Sequence, residues 1–357
     1  MTMNTSTAAA FPAGCTAFRG PLLHFIGEPG LTQPNPDSYE YHADGLLVVA
    51  DGRVLANGAA TDLLPRLPAG TEVEQWPDSL IIPGLIDTHV HMPQLAVMAS
   101  YGTQLLEWLE TYTFPTEARF ADAGWSADQS QLFLDLLLAH GTTSALVFST
   151  SHKVAAEALF SAADGYNMAI TTGKVMMDCH APDGVRDETE ASYSESRELI
   201  ERWHGKGRQR YAVTPRFAAT STVQQLTYAG QLVAEYPDVL MQTHWAENHA
   251  EIAWIKELFP ERSSYLDVYD HLGLLGERSV LAHGIHIDDG DRARLAETGT
   301  RIAFCPTSNT FLGSGLFDLA SARAANVEVG LASDVGGGTS LSMLVTMAEA
   351  YKVCQLR

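Results

Sequence analysis

The feature that most constrains the fold is a regular alternation, from Pro83 onward, of short apolar runs with longer amphipathic segments. Strands of a parallel sheet form continuous apolar runs, and each needs a crossover segment, usually a helix, to reach the next strand. Eight such runs predict a (β/α)8 barrel. The predicted strands are LIIPGLIDTHVH, TTSALVFST, MAITTGKVMMD, RYAVTPRF, VLMQTHWAE, SVLAHGIHI, TRIAFCPTS and VEVGLASDV.

The segment before the barrel has shorter runs broken by turn signals. In the run GLLVVADGRVLANG, the dipeptide Asp51-Gly52 is typical of a tight hairpin between two strands. We therefore predict three parts: an N-terminal tail over residues 1–15, a small β domain over residues 16–80, and the barrel over residues 81–357.

Composition excludes several classes of protein. A net charge of −21 opposes binding to nucleic acid, because that binding depends on Lys and Arg displacing counterions from phosphates. Four cysteines without C-x-x-C spacing predict reduced thiols rather than a disulfide framework or a thiolate metal site. No run of eighteen apolar residues and no signal peptide is visible, so we expect a cytoplasmic protein without a membrane partner.

Polar side chains stand at the ends of the predicted strands, where the active sites of such barrels lie. A single histidine in an apolar run is more often a hydrogen-bonded core residue, but a set of them at one end of a barrel favours a metal site. The set is His89 and His91 on the first strand, Arg216 on the fourth, His244 on the fifth, His283 on the sixth and Asp334 on the eighth.

Nitrogen and oxygen ligands of this kind suit zinc or iron, and the residues leave both metals open. His89, His91, His244 and Asp334 offer three nitrogens and an oxygen, and a metal held there would lower the pKa of water towards about 7. Glu247, three residues after His244, is the predicted general acid and base.

His283 is either a further ligand or, together with Asp334, a residue that orients the water by hydrogen bonds. We favour the second role. The glycine-rich stretch SDVGGGTS lacks the G-K-[ST] ending of a phosphate loop, so its glycines more simply allow a close approach of the backbone to the site.

The motifs PGLIDTHVH, THWAE, LAHG and ASDVGG occur in this order between Pro83 and Gly338, and they resemble those of the amidohydrolase superfamily. The stretches HVHMPQ, LLEWLETYTFPTEARF, GKVMMD and TPRFA more closely resemble the guanine deaminases within it. The resemblance implies an α/β fold, a (β/α)8 TIM-like barrel with a small β-sandwich domain. Because such proteins continue past the last barrel strand, we expect only the N-terminal part of the sandwich here.

The resemblance also implies roles for individual residues. Gln94 and Arg216 would contact a purine and Phe217 would line its pocket beside His244. These residue types suit guanine, since a guanidinium donates to a carbonyl, an aromatic ring packs on a ring face and an amide pairs with a polar edge. His89, His91, His244 and Asp334 would bind one zinc ion, Glu247 would shuttle the proton, and His283 and Asp334 would activate the water.

The implied reaction is hydrolysis of guanine to xanthine and ammonia, as part of purine catabolism or salvage, by a homodimer. Lys174 bears on the metal count. Members of the superfamily with two metals bridge them through a carbamylated lysine on the fourth strand, whereas Lys174 lies in the third predicted strand. One metal ion per chain is therefore predicted.

Two alternatives stay open at this point. The first is a related mononuclear deaminase or chlorohydrolase acting on another aminated ring, such as cytosine, a triazine or an adenosine-like compound; replacement of Arg216 would discriminate it. The second is an inactive metal-binding interaction protein, against which the presence of Glu247 argues.

Overall fold

A computed structural model of the chain describes residues 9–30, 35–101 and 104–357. It divides into two compact units, residues 1–84 and residues 85–357. Within the described residues, no helix is long and apolar enough to span a membrane.

The first unit is a four-stranded sheet in the order β3-β2-β1-β4. Asp51 and Gly52 both have positive φ and join β2 to β3, as the hairpin dipeptide predicts. Alternate residues of these strands, with one short helix, form a small core around Leu46 and Val48. The elements are β1 Thr16–Phe25, β2 Tyr39–Ala50, β3 Arg53–Ala59, α1 Ala60–Leu63 and β4 Val73–Gln75.

The second unit confirms the predicted barrel. All eight predicted apolar runs contain strands, and the strands pair in parallel in the order of the chain. The third run is split, and its second part, β8, pairs only with β9. The strands are β5 Leu85–His91, β6 Thr142–Phe148, β7 Ala169–Gly173, β8 Val175–Met176, β9 Arg210–Pro215, β10 Leu240–Trp245, β11 Ser279–His283, β12 Arg301–Phe304 and β13 Val329–Leu331.

Hydrogen bonds between the first and last strand regions complete the barrel. The backbone N–H of Asp334 donates to the carbonyl of His89 at 2.9 Å, and that of His91 donates to the carbonyl of Val335 at 2.8 Å. The Thr88 hydroxyl adds a bond to the carbonyl of Leu331 at 2.9 Å. The two chain segments that carry His89 and Asp334 are thereby fixed side by side.

Helices of the second unit follow the strands and bury one face each. In α5, for example, Ala156, Leu159, Phe160 and Ala163 are buried at spacings of three and four residues, the pattern of an amphipathic helix. The helices are α2 Leu105–Trp108, α3 Phe114–Glu117, α4 Ala123–Ala139, α5 Lys153–Tyr166, α6 Thr189–Trp203, α7 Val223–Glu235, α8 His249–Leu258, α9 Tyr265–His271, α10 Asp289–Thr298, α11 Pro306–Phe311, α12 Leu319–Ala324 and α13 Met343–Leu356.

Candidate active site

Histidine and aspartate side chains meet at the carboxyl ends of the barrel strands. One potential ligand atom from each of His89, His244, His283 and Asp334 lies within 4.8 Å of all the others. His91 belongs to the same group, since its Nε2 atom lies 3.2 Å from His89 Nε2 and 3.0 Å from His244 Nε2. We call these five residues the histidine cluster.

The protonation of the imidazoles shows what the histidine cluster can bind. His244 Nδ1 lies 2.7 Å from the carbonyl of Arg216, which only accepts, so Nδ1 carries the proton and Nε2 presents a lone pair to the cluster. Burial lowers the pKa of His91 to about 3 and that of His244 well below its usual range, so both rings are neutral. His283 Nε2 is buried and has no hydrogen-bond partner among the residues that the structure describes.

Asp334 supplies the negative charge of the cluster. Its Oδ1 atom lies 3.1 Å from His89 Nε2 and 3.3 Å from His91 Nε2, and its Oδ2 atom lies 3.8 Å from His283 Nε2. Burial opposes ionisation, but the histidine contacts outweigh it and hold the pKa of Asp334 well below its usual range. Inward lone pairs and one carboxylate are a donor set that fits a zinc-type or iron-type cation.

Asp87 supports the cluster from below on β5. Its carboxylate is fully buried and accepts a bond from the backbone N–H of Ser333 at 3.0 Å and one from the N–H of His89 at 3.3 Å. Burial raises the pKa of Asp87 to about 6. One carboxylate thus ties the strand of His89 to the segment that leads into Asp334.

Glu247 faces the histidine cluster from the loop after β10. It is buried, its Oε2 atom lies 3.4 Å from His283 Nε2, and its Oε1 atom accepts a bond from the Ser314 hydroxyl at 2.9 Å. Burial, with a smaller contribution from the charge of Asp334, raises the pKa of Glu247 to about 8. The placement suits a group that exchanges protons beside a bound water.

The start of α8 holds this loop in place. Asn248 and Glu251 form a capping box, and Glu251 Oε2 accepts bonds from the backbone N–H groups of Glu247 at 2.9 Å and Asn248 at 3.0 Å. Tyr265 donates its hydroxyl to the other oxygen of Glu251 at 2.8 Å. Both oxygens of this buried carboxylate are therefore used to orient the backbone that carries Glu247.

Three residues at the cluster have left-handed backbone conformations that non-glycine residues rarely adopt. The φ angles are 75° at His283, 49° at Asp334 and 50° at Ala246. Such conformations cost roughly 1–3 kcal/mol each and concentrate at functional sites. Their occurrence at three strand ends around one cluster supports a functional role for this end of the barrel.

A cavity opens onto the histidine cluster. Its lining also contains the three residues predicted to bind a purine, Gln94, Arg216 and Phe217, which are all buried. Leu105, Trp108, Leu109 and Leu312 add apolar surface. The cavity therefore combines ring-sized apolar walls with a few convergent polar groups, as small-molecule sites do.

Gln94 and Arg216 share a partner that the sequence did not reveal. Glu117 is fully buried and accepts a hydrogen bond from Gln94 Nε2 at 3.0 Å and one from Arg216 Nη1 at 2.7 Å. We call Gln94, Glu117 and Arg216 the Glu117 triad. Glu117 stands 99 positions from Arg216 in the chain, so no spacing rule connects them.

Of the other site residues that were not predicted, some have a recognisable sequence signal and some have none. The spacing of Asn248 and Glu251 is that of a capping box and was a readable signal for the start of α8. Asn309, whose Oδ1 atom lies 2.9 Å from His283 Nδ1, and Ser314 gave no such signal. Both lie in or after α11, a short helix that follows β12.

Lys174 lies between β7 and β8, in the third barrel run as predicted. Its buried ammonium group pairs with Asp187 and lies 3.4 Å from Glu195 Oε2. His249 and His286 pack ring to ring at 3.8 Å between centroids. These contacts give Lys174 a partner of its own and leave both histidines with structural contacts.

Comparison with known proteins places this geometry in a family. The amidohydrolase family profile matches residues 80–356. The chain belongs to the amidohydrolase family. Guanine deaminase from Escherichia coli is 49% identical over 314 residues, which are 88% of this chain and 72% of that protein.

Solved structures agree with this membership. The E. coli guanine deaminase structure superposes with a TM-score of 0.92 at 46% identity, covering 96% of this chain and 79% of that one. Guanine deaminase from C. acetobutylicum, solved with guanine bound in its active site, has a TM-score of 0.87 at 28% identity and covers 96% of this chain and 80% of that one. The family is metal-dependent, in agreement with the donor set of the histidine cluster.

Proposed function

We propose that this protein catalyses the hydrolytic deamination of guanine to xanthine and ammonia. The observation that carries the proposal is a single cavity that is lined both by a metal-type donor set with Glu247 and by Gln94, Arg216 and Phe217. The 49% identity to the E. coli guanine deaminase supports this substrate. So does the relative from C. acetobutylicum, which holds guanine in its active site.

The proposed metal ligands are His89, His91, His244 and Asp334, for one zinc ion per chain. When bound, the metal supplies Lewis acidity that lowers the pKa of water towards about 7, so that a nucleophile is present at neutral pH. Lys174 supports a single ion, because its ammonium group is paired with Asp187.

Gln94, Arg216 and Phe217 would hold the purine ring in the cavity. Arg216 has N–H groups beyond the one that it donates to Glu117, and these suit the guanine carbonyl. Gln94 offers an amide edge, and the ring of Phe217 offers a face for packing. Three kinds of contact would thus orient the exocyclic amino group towards Glu247 and the histidine cluster.

Glu247 would move the proton. The water oxygen forms a bond to C2 of guanine while Glu247 accepts the water proton and delivers a proton to ring N3. The second proton of the water, then on the C2 hydroxyl, would pass to the exocyclic amine; the bond between C2 and that nitrogen breaks, the C2 carbonyl of xanthine forms, and ammonia leaves. His283 lies between Glu247 and Asp334 and would hold the water in line by hydrogen bonds, as the approach to Glu247 Oε2 at 3.4 Å suggests.

The test is a spectrophotometric assay of the purified protein with guanine, following xanthine and ammonia. We expect conversion that chelation abolishes and added zinc restores. Folded, metal-loaded protein that leaves guanine unchanged would overturn the proposal. Cytosine, a triazine and adenosine in the same assay would then identify the alternative ring.

Several predictions extend this proposal. A homodimer is expected from the family resemblance, and size-exclusion chromatography with light scattering would measure it. Metal analysis of purified protein would distinguish zinc from iron and one ion from two. The division into a tail, a small β domain and a barrel, and the cytoplasmic location, stay predictions that limited proteolysis and cell fractionation would check.

A further inference from the structure

Two of the three residues of the Glu117 triad reach the cavity. Gln94 and Arg216 line the cavity, whereas Glu117 does not. Glu117 ends α3, and Phe114, one turn earlier on the same helix, lies with its ring centroid 5.3 Å from the Arg216 guanidinium carbon. One turn of helix thus supplies both the carboxylate and the aromatic ring that contact the arginine from behind.

The carboxylate dictates the orientation of the Gln94 amide. An ionised carboxylate only accepts hydrogen bonds, so Gln94 must turn its NH₂ group towards Glu117. The amide oxygen then accepts a bond from the backbone N–H of Gly336 at 3.2 Å. Each end of the amide has one fixed partner, which leaves one N–H and one lone pair for a ligand in a known arrangement.

The same carboxylate fixes the Arg216 guanidinium and balances its charge. The side chains of Arg216 and Glu117 are 3% and 0% exposed, so neither charge is screened by water. A buried charge without a partner is strongly unfavourable. With Glu117 in place, Gln94 and Arg216 present directed N–H donors without a net positive charge. This arrangement suits a neutral ring that carries a carbonyl.

We propose that Glu117 is a positioning residue that sets specificity for the carbonyl-bearing edge of the purine, acting through Gln94 and Arg216. This inference rests on guanine as the substrate. The discriminating ligands are hypoxanthine, which retains the carbonyl, and adenine, which has an amino group in its place. The measured quantity is the ratio of the adenine Kd to the hypoxanthine Kd, determined by calorimetry on the metal-loaded protein.

Glu117→Gln breaks the network at a defined point. The new amide can accept from Arg216, but it then turns its NH₂ group towards that of Gln94; a flip of Gln94 only moves the clash to the N–H of Gly336. We expect the Kd ratio to fall about tenfold or more, because hydrogen bonds that involve a charged group are stronger than those between neutral groups. A merely structural role would weaken both ligands equally and leave the ratio unchanged.

Two controls separate this effect from a general loss of stability. Asp187→Asn removes a buried carboxylate that pairs with Lys174 outside the cavity, and Glu110→Gln changes an exposed residue on the same segment as Glu117. Both should keep the wild-type Kd ratio. A wild-type ratio in folded Glu117→Gln, or no preference for hypoxanthine in wild-type protein that deaminates guanine, would overturn the inference.

A second variant carries the test if Glu117→Gln does not fold. The double change Glu117→Gln with Gln94→Glu exchanges the amide and the carboxylate, so every donor in the network again faces an acceptor while Arg216 loses its carboxylate partner. A lowered Kd ratio supports the inference, and a wild-type ratio overturns it. Wild-type protein that does not deaminate guanine would instead overturn the proposed function.

Discussion

The site combines two groups of residues, the histidine cluster and the Glu117 triad, which are built in different ways. The histidine cluster lies on or directly after barrel strands, and the hydrogen bonds that close the barrel hold it in place. The Glu117 triad combines one strand-end residue, Arg216, with two residues from the long segment between β5 and β6. The histidine cluster therefore follows from the barrel architecture, whereas the Glu117 triad depends on one buried carboxylate. Catalysis and substrate recognition should therefore respond differently to changes in the histidine cluster and to changes in the Glu117 triad.

Removal of the metal should have the largest effect, because the histidine cluster then lacks the cation that activates water. Without the metal, water keeps its high pKa, so we expect guanine turnover to fall by more than about 10⁴-fold. Chelation followed by zinc restoration, with xanthine formation as the readout, measures this. The Glu117 triad should still bind hypoxanthine in the metal-free protein, and complete loss of that binding would show that the triad and the histidine cluster do not act separately.

Glu247→Gln should come next, with a loss of about 10²–10⁴-fold in kcat, the usual contribution of a general acid and base. Steady-state kinetics with metal content measured on the same sample would show it. Glu257→Gln, on the exposed side of α8, is the matched control and should retain wild-type kinetics. A Glu247→Gln variant with normal kcat would assign the proton transfer to another residue.

Arg216→Met tests the role of the Glu117 triad in substrate recognition. It removes the guanidinium that we assign to the guanine carbonyl, so kcat/KM should fall about 10- to 100-fold, in line with a lost hydrogen bond to a charged group. Because this change also strands the charge of Glu117, the double variant Arg216→Met with Glu117→Gln is the control for stability. An unchanged kcat/KM in either folded variant would contradict the assignment.

The smallest expected effect concerns the backbone beneath Glu247. Glu251→Gln weakens the capping box and the bond from Tyr265, and we expect the free energy of unfolding to fall by about 1–2 kcal/mol. Urea denaturation would measure the change, with Glu257→Gln as the reference. If stability is unchanged but kcat drops, Glu251 serves mainly to place Glu247 in the loop after β10.

The sequence predicted the histidine cluster better than the Glu117 triad, for a physical reason. A barrel brings strand ends together by its topology, so residues such as His244 and His283 could be grouped from the order of apolar runs alone. Glu117 contacts Arg216 only because α2, α3 and the turns around them fold back over the barrel end. No periodicity encodes that path. Asn309 and Ser314 were missed for the same reason.

The closure of the barrel has a consequence for how the protein matures. Ser333 and Asp87, which bind each other beneath the cluster, are 246 positions apart in the chain. The ribosome must therefore release almost the whole barrel before the metal-binding residues can meet, and shorter nascent chains lack Asp334. Contacts between such distant segments form late in folding. Metal uptake would then follow the closure of the barrel, and a labelled ion would count closed barrels among partly translated chains.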